Sequence, residues 1–316
     1  MINIFVPTKN RPDVIAWLLS KYKNQDLSLF RLIILDSSDD GCTEEIVKQS
    51  DLFNVEFKRF DSQVSLDEKM FYCYKSQYDG WSILTRDRNS LCIEKCVQIL
   101  SKFQQDDVVA ICDKNSPFRE QFWIKKYSSK MFVRLDRDSF FENAFWLAVT
   151  TGSIFLSEKI VKSIAESDYT NLKISLQGFY GGCIPPFNFI GNNSFGVIVY
   201  GEFINYYPLR SKSYWWDDPY KVFAEDLLHS MIYLNQNLYS KKQKRIAIRN
   251  HSKFTKVLTF SRLIYYRGQK RYSYKMFKKY RKSLKEATAI PSLLSFFISI
   301  IPVLFIRPII YLFKKQ

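Results

Sequence analysis

The first 115 residues alternate short apolar runs with amphipathic ones, and this alternation restricts the chain to few architectures. Ile2–Val6, Leu32–Leu35, Asn54–Phe60, Trp81–Thr85 and Val108–Cys112 read as strands. Between them Asp13–Tyr22, a segment capped by Thr43, Leu66–Tyr78 and Ile93–Phe103 read as helices. The first helix carries Val14, Trp17, Leu18 and Tyr22 on one face, and Pro12 suits its first turn. Strands alternating with helices bury both faces in a mostly parallel sheet with helices on either side, so the expected class is α/β. In such a sheet the loops at the carboxyl ends of neighbouring strands face one crevice, and helix N-termini point into it.

Beyond residue 115 the pattern weakens. Phe145–Leu156 reads as strand, turn and strand, Glu158–Ala165 as helix, and Gly178–Gly201 as loops and short strands. Asp218–Leu238 places Tyr220, Phe223, Leu227, Met231 and Leu234 at spacings of three or four and is expected to be helical. The expected division is a sheet domain, 1–239, followed by a basic helical extension with an apolar tail, 240–316.

That extension holds the charge imbalance. Lys+Arg number 47 against 31 Asp+Glu, a net charge of +16, and Lys241–Lys285 contains many basic residues and no acidic one. Interleaved cations and aromatics can bind nucleic acid through phosphates and base stacking. The adjoining Ile290–Ile306 carries no charge, which favours a different partner. As a helix it would extend roughly 25 Å, short of a hydrocarbon core of about 30 Å, and Pro291 and Pro302 interrupt it. Peripheral attachment to an anionic membrane surface is the expectation, with nucleic acid disfavoured. Six cysteines lack a paired CxxC spacing and only His229 and His251 are present, so no zinc site is expected. The N-terminus has no signal-peptide pattern, so the thiols are expected to lie in a reducing cytoplasm.

Two strand ends carry the candidate chemistry: VPTKNRP after the first strand and LDSSDDG after the second. Asp36 could accept hydrogen bonds from a uracil ring or a ribose hydroxyl, while Thr8 and Arg11 could hold the base. The plainer alternative is a helix cap and a turn. A later strand, WSIL, runs into Thr85-Arg86-Asp87-Arg88-Asn89. Lys69, on the preceding helix, is either within reach of the same crevice or solvated.

These motifs resemble the donor-binding half of the GT-A glycosyltransferases, particularly family 2-like enzymes of bacterial surface polysaccharide synthesis, over residues 2–115. The resemblance implies a Rossmann-like GT-A domain and a nucleotide-sugar donor, a UDP-sugar for instance, gripped by Pro7, Thr8, Arg11 and Asp36. It also implies inverting transfer to a lipid-linked or growing glycan acceptor at the cytoplasmic face of the membrane. Family members hold Mn²⁺ or Mg²⁺ on a short acidic motif. Here that position offers Asp87 alone between two arginines, which supplies few oxygen ligands and repels a cation. Arg86 or Arg88 is the alternative partner of the diphosphate, because guanidinium matches phosphate oxygens bidentately.

The family's catalytic base lies in an ED motif, whose form matches Phe223-Ala224-Glu225-Asp226-Leu227-Leu228. Asp226 is the first candidate and Glu225 the second, with Asp218 as a rival that could simply cap the helix. Thr150-Thr151-Gly152-Ser153 occupies the place of an acceptor-side loop, and Trp215 and Trp216 are candidates for sugar stacking or core. Two other readings compete: a nucleotidyltransferase, whose Gly-rich first loop is missing here, and a non-catalytic binding protein on the same fold.

Overall fold

The computed structural model describes residues 1–76, 78–103, 107–116, 131–151, 153–167, 183–190, 195–208, 218–231, 234, 237–306 and 308. The chain forms two compact units, Met1–Arg210 and Ser211–Gln316. The boundary falls earlier than the sequence division at 239/240, so the segment bearing Glu225 and Asp226 groups with the basic helices.

In the first unit the strands are β1 (Ile2–Thr8), β2 (Phe30–Asp36), β3 (Val55–Arg59), β4 (Trp81–Leu84), β5 (Asn89–Leu91), β6 (Val108–Asp113), β7 (Phe132–Leu135), β8 (Ile154–Leu156), β9 (Gly196–Gly201) and β10 (Ile204–Tyr206). Eight of them form one sheet in the order β3-β2-β1-β4-β8-β6-β9-β7, while β10 and β5 pair separately. The pairs β1–β2, β1–β4, β2–β3 and β6–β9 are parallel, and only β8 and β7 run against their neighbours. The sheet is therefore mostly parallel.

Alternation along β1 explains why helices cover both faces. Ile2, Ile4 and Val6 join Ile15, Leu18, Leu19 and Tyr22 of α1 (Pro12–Tyr22) and Ile93, Cys96, Ile99 and Leu100 of α4 (Ile93–Leu100) in one core. Phe5, on the opposite face, packs with Ile33, Leu35 and Cys73, the last from α3 (Leu66–Lys75). A strand buried on both sides has almost no polar position, which is why β1 and β2 read so plainly as apolar runs. Between β2 and β3, α2 (Cys42–Lys48) starts from Gly41, and Thr43 is turned inward rather than capping.

Phe145–Leu156 departs from its reading as strand, turn and strand. Arg137–Thr151 is one helix, and only Ile154–Leu156 is strand. Ala144, Phe145, Trp146, Leu147, Ala148 and Val149 are buried in succession, so this part of the helix is apolar on every side and shows no period to distinguish it from a buried strand. Its packing also explains Gly196, which starts β9 inside a stretch read as loops and short strands. A Cβ there would overlap the fully buried Phe140 ring. Gly196→Ala should cost about 1–3 kcal/mol in thermal or urea unfolding, and adding Phe140→Leu should recover part of the loss.

The second unit is helical. A π-helical turn, Lys221–Asp226, runs into Leu227–Ser230, shorter than the helix expected over Asp218–Leu238. Helices Lys241–Thr255, Phe260–Gly268, Tyr274–Ala287 and Ser292–Ile300 come after it. Tyr220 is the hub of an aromatic core, with Tyr266, Tyr272 and Tyr280 at ring-centroid distances of 5.9, 5.3 and 6.1 Å. Among the described residues, no helix is long and apolar enough to cross a membrane.

Candidate functional site

Parallel register sets Thr8 directly beside Asp36, with Pro7 beside Leu35, so the two loops singled out in the sequence leave the sheet together. Asn10 then joins them. Its backbone adopts φ 53°, in the left-handed region that asparagine tolerates well. Its N–H donates to Ser38 Oγ at 2.7 Å, its amide nitrogen to Asp39 Oδ2 at 2.6 Å, and its amide oxygen accepts the Asp39 N–H at 2.9 Å.

Asp36 is fully buried, and its carboxylate faces the protein. Oδ1 accepts from the Ser38 N–H at 3.1 Å and from Ser38 Oγ at 2.5 Å, while Oδ2 accepts from Arg59 Nη1 at 3.2 Å. Arg59 also donates to the Ser38 carbonyl at 2.7 Å. In this arrangement Asp36 shapes the DSSDDG loop, and the exposed acidic groups of that loop are Asp39 and Asp40.

Asp87 lies beyond the end of β4, on the other side of β1 from Asp36. It is buried, with Arg11 Nη1 at 3.1 and 3.2 Å from its two oxygens and Thr8 Oγ1 at 3.2 Å from Oδ2. The ammonium of Lys69 is buried too, contrary to the solvated alternative, and donates to the Thr8 carbonyl at 2.7 Å and to Ser37 Oγ at 2.8 Å. Burial pushes its pKa down to about 8, against the opposing pull of Asp36 and Asp87. Arg88 is half-buried; burial and the nearby Arg11 charge both disfavour its charged form. Arg86 is exposed and donates to the Val149 carbonyl at 3.2 Å.

The loop carrying these arginines is anchored at both ends. Thr85 N–H donates to the Phe5 carbonyl at 2.9 Å, and Tyr207 N–H to the Arg88 carbonyl at 2.9 Å. Asp113, at the end of β6, holds β10 in place: its Oδ2 accepts the N–H groups of Phe203 and Ile204 at 2.6 and 2.8 Å. Neither Asp113 nor Arg59 stood out in the sequence, because each acts on a partner far along the chain.

The donor set does not fit a divalent cation. Both oxygens of Asp87 contact the Arg11 guanidinium, arginines flank it in sequence, and no cluster of three or more His, Cys, Asp or Glu among the described residues is arranged to hold a metal. What the residues do fit is an oxyanion. Arg11, Lys69 and Arg88 lie close to Asp87, with Arg86 near Arg88, while Asp36 is engaged by Arg59, which leaves cations in excess over these two buried carboxylates at the carboxyl ends of β1, β2 and β4.

No protein-family model matches the sequence, and no curated protein matches it. Solved structures do. A crystal structure of S. aureus TarS residues 1–349 superposes with a TM-score of 0.55 at 12% identity, covering 90% of this chain and 80% of that one. The same fragment in complex with UDP-GlcNAc gives 0.51 at 12% identity, over 90% and 81%. A longer TarS structure gives 0.53 at 13% identity, over 93% of this chain and 50% of that one. The chain has the GT-A-like glycosyltransferase fold. At this identity the likeness speaks for the fold, and the chemistry has to be argued from the residues.

Within that fold, Glu225 and Asp226 lie in the second unit, on the π-helical turn. A π-turn bonds i to i+5, which stacks Lys221 over Asp226 where an α-helix would splay them. Lys221 Nζ sits 3.2 Å from both Asp226 oxygens. Burial raises the Asp226 pKa, partly offset by Lys221. Glu225 is exposed. Asp218 does cap this turn: its Oδ1 accepts the Lys221 N–H at 3.0 Å, and its Oδ2 accepts from Tyr280 Oη at 2.5 Å. Thr150 and Thr151 end the helix Arg137–Thr151, whereas Gly152, Trp215 and Trp216 lie outside the described residues.

Proposed function

We propose that the chain is a glycosyltransferase that takes a sugar from a nucleoside diphosphate donor, a UDP-sugar in the first instance. The observation that supports this reading is the cationic cluster of Arg11, Lys69, Arg86 and Arg88 at the strand ends, on a fold whose solved relatives include a UDP-GlcNAc complex. Thr8 and the two clasped loops would bound the nucleoside, and Arg86 and Arg88 would meet the diphosphate in place of a metal. Asp226 would take the proton of the acceptor hydroxyl in an inverting displacement, with a lipid-linked or growing glycan as acceptor at the cytoplasmic membrane face.

Titration calorimetry with UDP and UDP-sugars tests the donor half. The dissociation constants should agree within about twofold in EDTA and in Mn²⁺, because the cluster is complete without a cation. No binding of any nucleotide in either condition removes the transferase reading; strict dependence on Mn²⁺ removes the arginine assignment alone. Purified protein offered a panel of nucleotide sugars should release the nucleotide from at least one.

Lys69 supplies a pH signature. Above about pH 8 its ammonium loses its proton, the carboxylates of Asp36 and Asp87 lose a compensating charge, and an anionic donor is held less tightly. The UDP dissociation constant should therefore rise several-fold between about pH 7 and about pH 9, and Lys69→Gln should flatten that rise.

A further inference from the structure

Helix Ser292–Ile300 is built inside out. Its inward residues include Ser295 and Ser299, 0% and 1% exposed, together with Ile298. Its outward residues are Leu293, Leu294, Phe297 and Ile300, at 66%, 37%, 48% and 45%, and beyond Pro302 come Leu304 and Phe305 at 74% and 67%. A helix packed on a core and facing water shows the reverse distribution.

The roll of this helix is fixed by polar contacts. Tyr272 Oη donates to the Ser295 carbonyl at 3.1 Å, and Arg267 Nε donates to the Ile301 carbonyl at 2.8 Å, satisfying a group at the helix C-terminus. Phe296 packs against Phe277 and Tyr274 of the helix Tyr274–Ala287, at ring distances of 5.6 and 6.2 Å. The apolar residues are thus held outward by the rest of the unit.

Charge selects the occupant. Helix Tyr274–Ala287 exposes Lys275, Lys278, Lys279, Arg281, Lys282 and Lys285, and Lys241–Lys285 contains no acidic residue. A second copy docking on this face would bring two such fields together, and they repel. A nucleic acid would pair the lysines and leave Leu293 and Phe297 in water. An anionic bilayer answers both, with headgroups for the cations and acyl chains for the apolar side chains. At about 1.5 Å per residue the helix reaches less than half of a hydrocarbon core of about 30 Å, so it lies along the surface.

We infer that the outward face of Ser292–Ile300, extended by Leu304 and Phe305, docks in the interface of an anionic lipid bilayer beside the lysines of Tyr274–Ala287. This deepens the membrane part of the proposed function and does not depend on the donor crevice.

Co-sedimentation of the full chain with vesicles tests it. The protein should pellet with vesicles of phosphatidylcholine and phosphatidylglycerol, pellet far less with phosphatidylcholine alone, and release as salt rises. Leu293→Asp with Phe297→Asp should lower the partition coefficient by at least about tenfold, with thermal midpoint and UDP affinity unchanged, since both positions are exposed. Lys278→Glu with Lys282→Glu should weaken binding to the anionic vesicles selectively. The inference is overturned if wild type stays in the supernatant with anionic vesicles, or if the Leu293/Phe297 variant pellets like wild type. It is equally overturned if wild type is a dimer that this variant dissociates, with no binding to vesicles. Loss of vesicle binding with UDP binding intact removes only the docking face; the opposite result removes only the donor reading.

Discussion

Asp87→Ala should lower folding stability by about 2–4 kcal/mol while changing the UDP dissociation constant by less than about threefold at temperatures where the variant is folded. Asp87 is 5% exposed and serves as counterion to Arg11, with Lys69 and Arg88 also facing its charge. Removing one member of a buried, hydrogen-bonded pair leaves the other uncompensated, a loss of about 3–5 kcal/mol when both are enclosed. Arg11 is 35% exposed, and water recovers part of that. For donor binding two effects oppose: the crevice gains positive charge, and Arg11 loses the contact that orients it. Asp87→Asn should be milder in chemical denaturation, since its amide oxygen still accepts from Thr8. A metal ligand at this position would behave oppositely, with affinity collapsing and stability almost unchanged.

Asp226→Asn should reduce turnover by about 10²–10⁴-fold and leave UDP affinity within about twofold. A proton acceptor must be ionised and basic enough to compete for the acceptor's proton. Burial raises the Asp226 pKa, and Lys221, at 3.2 Å, opposes the rise by favouring the carboxylate. The acid limb of the kcat profile should accordingly lie above the usual carboxylate range and vanish in the Asn variant, while exposed Glu225→Gln should stay near wild type. Full turnover by Asp226→Asn removes the assignment.

Much of the first unit was legible because its chemistry is local. A central parallel strand reads as an unbroken apolar run, and the polar segment after it, PTKNRP or DSSDDG, must leave at the same edge of the sheet. The task of each side chain at that edge depends on residues that arrive later. Asp36 looks like a free acceptor until Arg59, from β3, reaches it, and Lys69 looks solvated until α3 folds over Thr8 and Ser37. The helix Arg137–Thr151 was hidden for the opposite reason, its apolar residues being too uniform to show a period. The second unit gave away its charge but not its geometry. Lys221 and Asp226 share a face only because the turn between them is π-helical, and the serines of Ser292–Ile300 point inward against their polarity.

The Asn10 clasp has a bearing on how this crevice can be altered. One asparagine holds three hydrogen bonds to Ser38 and Asp39, so the geometry of either loop is a boundary condition on the other. Exchanging one segment alone for a foreign counterpart would leave its mate without a template. Swaps of 7–11 and 36–41 should therefore succeed as pairs, and variation in the two stretches is expected to be inherited jointly.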